Sequence, residues 1–146
     1  MEPIDATDLL EGVRNRFLWR AADAGQELTV EAAPGLTVSG DRLRLEQALG
    51  NLADNALRYG AGRVTLRANP ADGTILLAVD DQGPGFPASF LPRAFDRFSR
   101  PDDGRSGGGA GLGLAIVATI AQAHGGTAHA KSRPDGGATV TIELPA

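Results

Sequence analysis

From Asp41 to Tyr59 the chain reads DRLRLEQALGNLADNALRY, the stretch that most limits what the rest can fold into. Leu45, Ala48, Leu49, Leu52, Ala56 and Tyr59 recur at three- and four-residue spacing. That pattern predicts one amphipathic helix with this face in a core. Asp41 is its N-cap candidate, and Gly60 to Gly62 stop it. Asn51, Asn55 and Arg58 stand at i, i+4 and i+7, so they project from one strip beside the apolar face. Asn weakens a helix interior, because its side chain competes for the backbone. Two of them on consecutive turns are either an ordinary polar face or a requirement for their amide oxygens.

The other elements arrange themselves around this helix. Asp5, Thr7 and Asp8 are N-cap candidates for a first helix within Pro3 to Ala24, with Leu9, Leu10, Val13, Phe17 and Ala21 on one face and Gly25 at its end. Leu28 to Ala33 is a short strand broken by Pro34-Gly35, with Leu36 to Val38 as its resumption. After the central helix, Arg63 to Ala68 alternates as a half-buried strand and Thr74 to Val79 runs as a more apolar one. Asn69 to Gly73 reads as the turn of an antiparallel hairpin. From Asp80 to Ala110 the chain leaves regular structure, and a loop that long inside a compact domain is usually functional or mobile. Leu112 to His124 is apolar nearly all round, which predicts a buried helix capped by Gly125-Gly126. Thr127 to Ser132 and Ala138 to Leu144 are strands joined by the turn Arg133 to Gly137. Strands in hairpins with helices apart from them predict an α+β fold: a two-layer sandwich of a mixed, mostly antiparallel sheet with helices on one face.

At 146 residues the chain is one domain, residues 1–146. No apolar run reaches ~18 residues, and no charged-then-apolar leader opens it, so neither a membrane span nor a signal peptide is expected. With no cysteine there is no disulfide framework, Cys-based zinc site or Cys nucleophile. A net charge of −4 argues against nucleic-acid binding as the main role. Lys131 is the one lysine.

Two glycine clusters carry the remaining chemistry. Asp81-Gln82-Gly83-Pro84-Gly85 follows the apolar strand. A carboxylate there can accept from an exocyclic amine while glycine lets the backbone approach a flat ring, although the same residues also suit a surface turn. Gly83 to Ala88 formally matches the dinucleotide pattern G-x-G-x-x-G/A, with Asp102 and Asp103 further on. That reading fails, because Pro84 and Pro87 keep the preceding residues from helical angles and no βαβ unit surrounds them. The second cluster, Gly107 to Gly113, runs directly into the start of the apolar helix. Backbone N–H groups and the positive dipole end there make an anion site, which a mere linker would not need. A P-loop is excluded, because it requires Gly-Lys-Ser/Thr.

Together these pieces resemble the catalytic and ATP-binding domain of two-component sensor histidine kinases, in the ATPase superfamily that includes gyrase and the heat-shock chaperones. The motifs stand in the family's order: Asn51 to Tyr59 for the N box, Asp81 to Gly85 for the first glycine box, Phe95 to Phe98 for the F box, Gly109 to Leu114 for the second glycine box. His124-Gly-Gly126 and Ala138-Thr-Val140 match its closing pattern, and the likeness runs from about Ile4 to Pro145. It implies the Bergerat ATP-binding fold, with ATP and Mg2+ as ligands. Asn55 would give its oxygen to the metal, a hard cation that also takes phosphate oxygens and waters. Asn51 would lie beside the phosphates and the attacking group. Arg58 matches a basic position that contacts phosphate. Tyr59 either flanks the nucleotide or is a core aromatic. Asp81 would take the adenine amine with Thr139 assisting through water, and Gly83 and Gly85 would give the base room. Gly109, Gly111, Leu112 and Gly113 would bind phosphates, with a mobile ATP lid at about 87–110. Arg97 either reaches the γ-phosphate or a partner domain, or is a solvated loop charge.

Position 51 also divides the superfamily. Hydrolytic members carry a Glu general base there; Asn51 cannot take a proton, so water should be a poor acceptor. Asp54 projects about 100° away from Asn55. The expected reaction is transfer of the γ-phosphoryl group to a histidine. Neither His124 nor His129 has the acidic residue that follows the family's acceptor, so both are expected to be structural. The dimerisation and acceptor helices would precede Pro3, so the chain is expected to be the cytoplasmic catalytic fragment of a membrane-anchored homodimeric parent, monomeric alone, with a response regulator downstream. Two other readings remain open here: an anti-sigma-type serine kinase and a non-catalytic nucleotide sensor.

Overall fold

A computed structural model describes residues 1–59, 61–86, 91–96 and 113–146 of the chain. Its order is β1 (Glu2–Asp5), α1 (Ala6–Asp23), β2 (Glu27–Ala32), β3 (Thr37–Gly40), α2 (Arg42–Tyr59), β4 (Arg63–Ala71) and β5 (Thr74–Asp80). A single 3-10 turn at Leu91–Arg93 precedes α3 (Gly113–Ala123), β6 (Thr127–Ser132) and β7 (Ala138–Pro145).

Five strands form one sheet in the order β2-β4-β5-β7-β6. Only β2 and β4 run parallel; the other pairs are antiparallel. The register aligns Val30, Leu66, Val79, Val140 and Ala130 in one row across all five strands. These are apolar and face the helices. The adjacent row, Thr29, Thr65, Asp80, Thr139 and Lys131, is polar and faces away. α1 lies against β2 and β4, α2 against β4 and β5, and α3 against β6 and β7. This is the expected two-layer α+β sandwich, with a mixed, mostly antiparallel sheet and helices on one face.

The central helix forms as its spacing predicts. Arg44 N–H donates to Asp41 Oδ1 at 3.3 Å, the N-cap bond. Leu45, Ala48, Leu49, Leu52 and Ala56 are buried, and Tyr59 is half-buried. In α1 the cap is Asp5, whose Oδ1 accepts from Asp8 N–H at 2.9 Å.

Three expectations need correction. Residues before the first cap are not helix lead-in but β1, paired antiparallel with β3 in a separate two-stranded sheet, so β3 does not resume β2. β4 does not stop at Ala68 but continues through Pro70 to Ala71, leaving Asp72-Gly73 as the whole turn. Ala33 N–H donates to Ala68 O, so Ala68 and, two residues on, Pro70 point toward β2; that strand has ended by then, and proline's missing N–H costs nothing. α3 buries one face, Leu114, Val117, Ile120 and Ala121, rather than its whole circumference, because alanines make up much of its apolar count.

Candidate nucleotide site

α2, which carries the asparagine strip, packs on β4 and β5, and three local devices shape the site. The first joins α2 to α3: Asn51 Nδ2 donates to the Gly113 carbonyl at 3.3 Å. Residues sixty-two apart, from the N box and the second glycine box, therefore meet at the start of α3. Asn55, one turn on, is half-buried, and its amide has no hydrogen bond with any described residue. Arg58 Nε donates to both carboxylate oxygens of Asp54, at 3.1 and 3.3 Å. Tyr59 closes the helix.

The second device is the loop at the end of β5. Asp81 is 7% exposed, and its Oδ1 accepts from Gly83 N–H at 2.8 Å. Burial pushes the Asp81 carboxyl above its ordinary value; N–H groups of Gly83 and Ala138 and the charge of Arg133 oppose this, and Asp80 adds to it. The folded chain thus holds this proton more tightly than the unfolded chain. Stability contributed here is present at acid pH and is lost as pH rises from the ordinary carboxylate range through the raised value. Asp81→Asn is therefore expected to melt no lower than the parent at pH 7 and, having lost a group that stabilises at acid pH, to show a steeper acid limb of the Tm–pH profile. A clear fall in Tm at pH 7 would contradict this.

The third device clamps that loop against the β6–β7 hairpin. Arg133 Nη1 donates to Asp81 O at 3.0 Å. Ser132 Oγ donates to Phe86 O at 3.1 Å and accepts from Phe86 N–H at 3.0 Å. Gly85 leaves its space to Ser132 and the Gly137 carbonyl, so what it makes room for here is the hairpin. Gly137 has φ +99°, and a Cβ there would collide with the Asp81 carbonyl oxygen. Gly136 has the same φ of +99° but no neighbour nearer than the Gly83 carbonyl at 3.9 Å. Gly137→Ala should destabilise the domain by about 2 kcal/mol or more, and Gly136→Ala by about 1 kcal/mol, in denaturant melts. Equal losses would show that the clamp is not tight. On the other flank, Gln82 Oε1 accepts from Arg63 N–H at 2.8 Å and Gln82 N–H donates to Ala61 O at 3.0 Å, tying the loop to the exit of α2.

Thr139 is not placed as expected. Its hydroxyl donates to Asp80 Oδ1 at 2.7 Å, on the sheet face away from the helices, where Arg67 forms a two-pronged ion pair with the same carboxylate. Ala138 is the residue beside Asp81, whose N–H donates to the Ala138 carbonyl at 3.0 Å. The water relay through Thr139 is therefore withdrawn. The strict alternation of ATVTIEL already put Thr139 on the polar side. Ser132, Arg133, Gln82 and Gly137 were missed as site-shaping residues, because their contacts are tertiary.

His124 has the structural place expected of it: Nδ1 donates to Ile120 O at 2.8 Å, and Nε2 accepts from Asp41 N–H at 3.0 Å, pinning the end of α3 to the cap of α2. His129 is exposed on β6 beside Thr127. Gly109, Gly111, Leu112 and Arg97 lie outside the described residues, as do Phe98 and the 87–110 segment apart from residues 91–96. Of the F box, Phe95 packs against the core.

No group of three or more His, Cys, Asp or Glu side chains that could hold a metal occurs among the described residues. Among the described residues, Asn55 is a side chain on the α2 strip that could offer an oxygen to a cation also held by a bound ligand. The open, half-buried amide fits that demand, since magnesium takes few protein ligands and keeps phosphate oxygens and waters.

Comparison with known proteins identifies the fold and the family. Residues 40–146 match the family described as histidine kinase-, DNA gyrase B- and HSP90-like ATPase. A sensor histidine kinase component, HK1, of Mycobacterium tuberculosis is 48% identical over 126 residues, covering 86% of this chain and 75% of that protein. The histidine kinase BaeS of Escherichia coli is 40% identical over 98% of this chain, which spans only 32% of BaeS. Among solved structures, the mycobacterial sensor histidine kinase MprB superposes with a TM-score of 0.87 at 34% identity, covering 99% of this chain and 97% of that one. Full-length ShkA, solved with AMPPNP, gives 0.87 at 36% identity, over 98% of this chain and 30% of its own. The chain belongs to the histidine kinase-, DNA gyrase B- and HSP90-like ATPase family, and within it is the ATP-binding catalytic domain of a sensor histidine kinase.

Proposed function

We propose that the chain binds Mg-ATP between α2 and the loop after β5, and passes the γ-phosphoryl group to a histidine on a dimerisation and acceptor domain. Asn51 carries the proposal: the residue at the start of α3 faces an amide, not a carboxylate, so position 51 offers no general base to activate water. Asp81 accepts from the adenine amine at the closed end of the site. Asn55 holds magnesium, which when bound neutralises charge on the phosphate oxygens. Arg58, Gly113 and the glycines before it meet the phosphates. Phosphoryl transfer asks little covalent chemistry of the protein; positioning and charge neutralisation supply the rate. Tyr59 flanks the nucleotide.

The likeness to multidomain sensor kinases supports an acceptor domain as partner and a response regulator downstream; that the parent is a homodimer is our own proposal. No helix among the described residues is long and apolar enough to cross a membrane. On the likeness to sensor kinases alone, we place the domain on the cytoplasmic side. The test is labelled ATP mixed with the chain, with and without a cognate acceptor-helix domain. Acid-labile label on the acceptor is the expected result. Acid-stable label would mean a serine kinase, and nucleotide binding without transfer a sensor.

A further inference from the structure

Asp54 stands one residue before Asn55, yet it turns into the cleft between α1 and α2. That cleft, about 390 Å³, is lined by Asn51, Gly50, Arg16 and Phe17 among others. Two guanidinium groups converge on the Asp54 carboxylate. Arg20 of α1 donates from Nη1 to Oδ1 at 2.6 Å, and Arg58 of α2 donates from Nε to Oδ2 at 3.1 Å and to Oδ1 at 3.3 Å. Arg20 is itself seated, with its guanidinium carbon 5.5 Å from the centre of the Phe17 ring. The Phe17 ring lies over Gly50, where an added Cβ would be 3.5 Å away. The carboxylate therefore links a cation anchored on α1 to a cation on the strip that carries Asn51 and Asn55.

Such a link does little for folding. The side chains of Arg20, Asp54 and Arg58 are 45, 34 and 37% exposed, and ion pairs that open to water contribute little. A carboxylate beside a phosphate site also repels the ligand. Its presence asks for another explanation, and the geometry supplies one. Arginine has a long, freely rotating side chain, and ordering it at a ligand costs entropy. A carboxylate on the Nε edge fixes the plane of the guanidinium before the phosphates arrive.

We infer that Asp54 is a positioning residue for phosphoryl transfer, bridging Arg20 to Arg58 so that the Arg58 guanidinium is held ready for the phosphates. The inference rests on the proposed phosphate contact of Arg58. Asp54→Asn removes the tie but also removes a repulsive charge, so the two effects separate in different quantities. Nucleotide affinity should stay within about threefold, while the transfer rate to the acceptor falls about tenfold, the factor expected for one mispositioned charged contact. Arg20→Gln should slow transfer in the same direction by less, and Asp54→Glu should retain more rate than Asp54→Asn.

The test measures ATP affinity and transfer for Asp54→Asn, Arg58→Ala and the double variant, each checked by thermal melting, where a Tm close to the parent's is expected. Support is a slow Asp54→Asn that adds no further loss in the Arg58→Ala background, since residues acting through one another are not additive. Transfer in Asp54→Asn as fast as the parent's, or a loss that adds in full to that of Arg58→Ala, overturns the inference. If Arg58→Ala itself changes neither affinity nor transfer, the phosphate reading of Arg58 has failed, and the relay falls with it.

Discussion

Asn55→Ala is expected to leave the domain folded and to abolish magnesium-dependent phosphoryl transfer. Asn55 is half-buried on the fourth turn of α2, and its amide is bound to no described residue, so the substitution removes no structural hydrogen bond. It lies among good helix formers, and alanine there favours the helix. What is lost is the oxygen offered to the cation. No acidic cluster among the described residues stands ready to replace it. Activity measured against magnesium concentration, with a melt on the same sample, checks this. Transfer at the parent's rate would remove Asn55 from the metal site.

Asp81→Ala should lower nucleotide affinity by about 10- to 100-fold, or ~1.5–3 kcal/mol, the range for a hydrogen bond to a charged group. The effect should be specific to the base: an analogue lacking the exocyclic amine should bind the parent and the variant alike. Calorimetric titration with both nucleotides gives the answer, and unchanged ATP affinity would defeat the adenine assignment. The contrast with Asp81→Asn in the unliganded chain is informative. Burial of this carboxyl makes its ionised form unfavourable in the fold, and a bound amine would be what it awaits.

The sequence was most legible where pattern and local chemistry agree. The stripe of α2, its Asp41 cap and the antiparallel hairpins are all local, and each formed close to where it was expected. β1 was not legible, and β3 was legible as a strand near Leu36 to Val38 but not in its pairing, because these four-residue strands pair only with each other, thirty-odd residues apart. The extension of β4 through Pro70 became possible only because β2 stops first, which no window on β4 can reveal. Thr139 is a different lesson: the alternation around it was clear, and the resemblance to a family pattern overrode it. The clamp made by Ser132, Arg133 and Gly137 on the Asp81 loop depends on two hairpin ends meeting in space, so it had no signature beyond a run of turn residues.

The single parallel pair in the sheet has a dynamic consequence. Strands that run the same way cannot be joined by a tight turn; the chain must travel back across the sheet between them. Between β2 and β4 that return path is β3 and then α2. The helix bearing Asn51 and Asn55 is thus not a flap laid on the sheet but the stitch that closes its only parallel seam. Packed on β4 and β5 and against α1 and α3, it should have inner amides that exchange with solvent as slowly as those of the sheet. The asparagine strip is then expected to be among the slowest-exchanging parts of the site while nucleotide comes and goes.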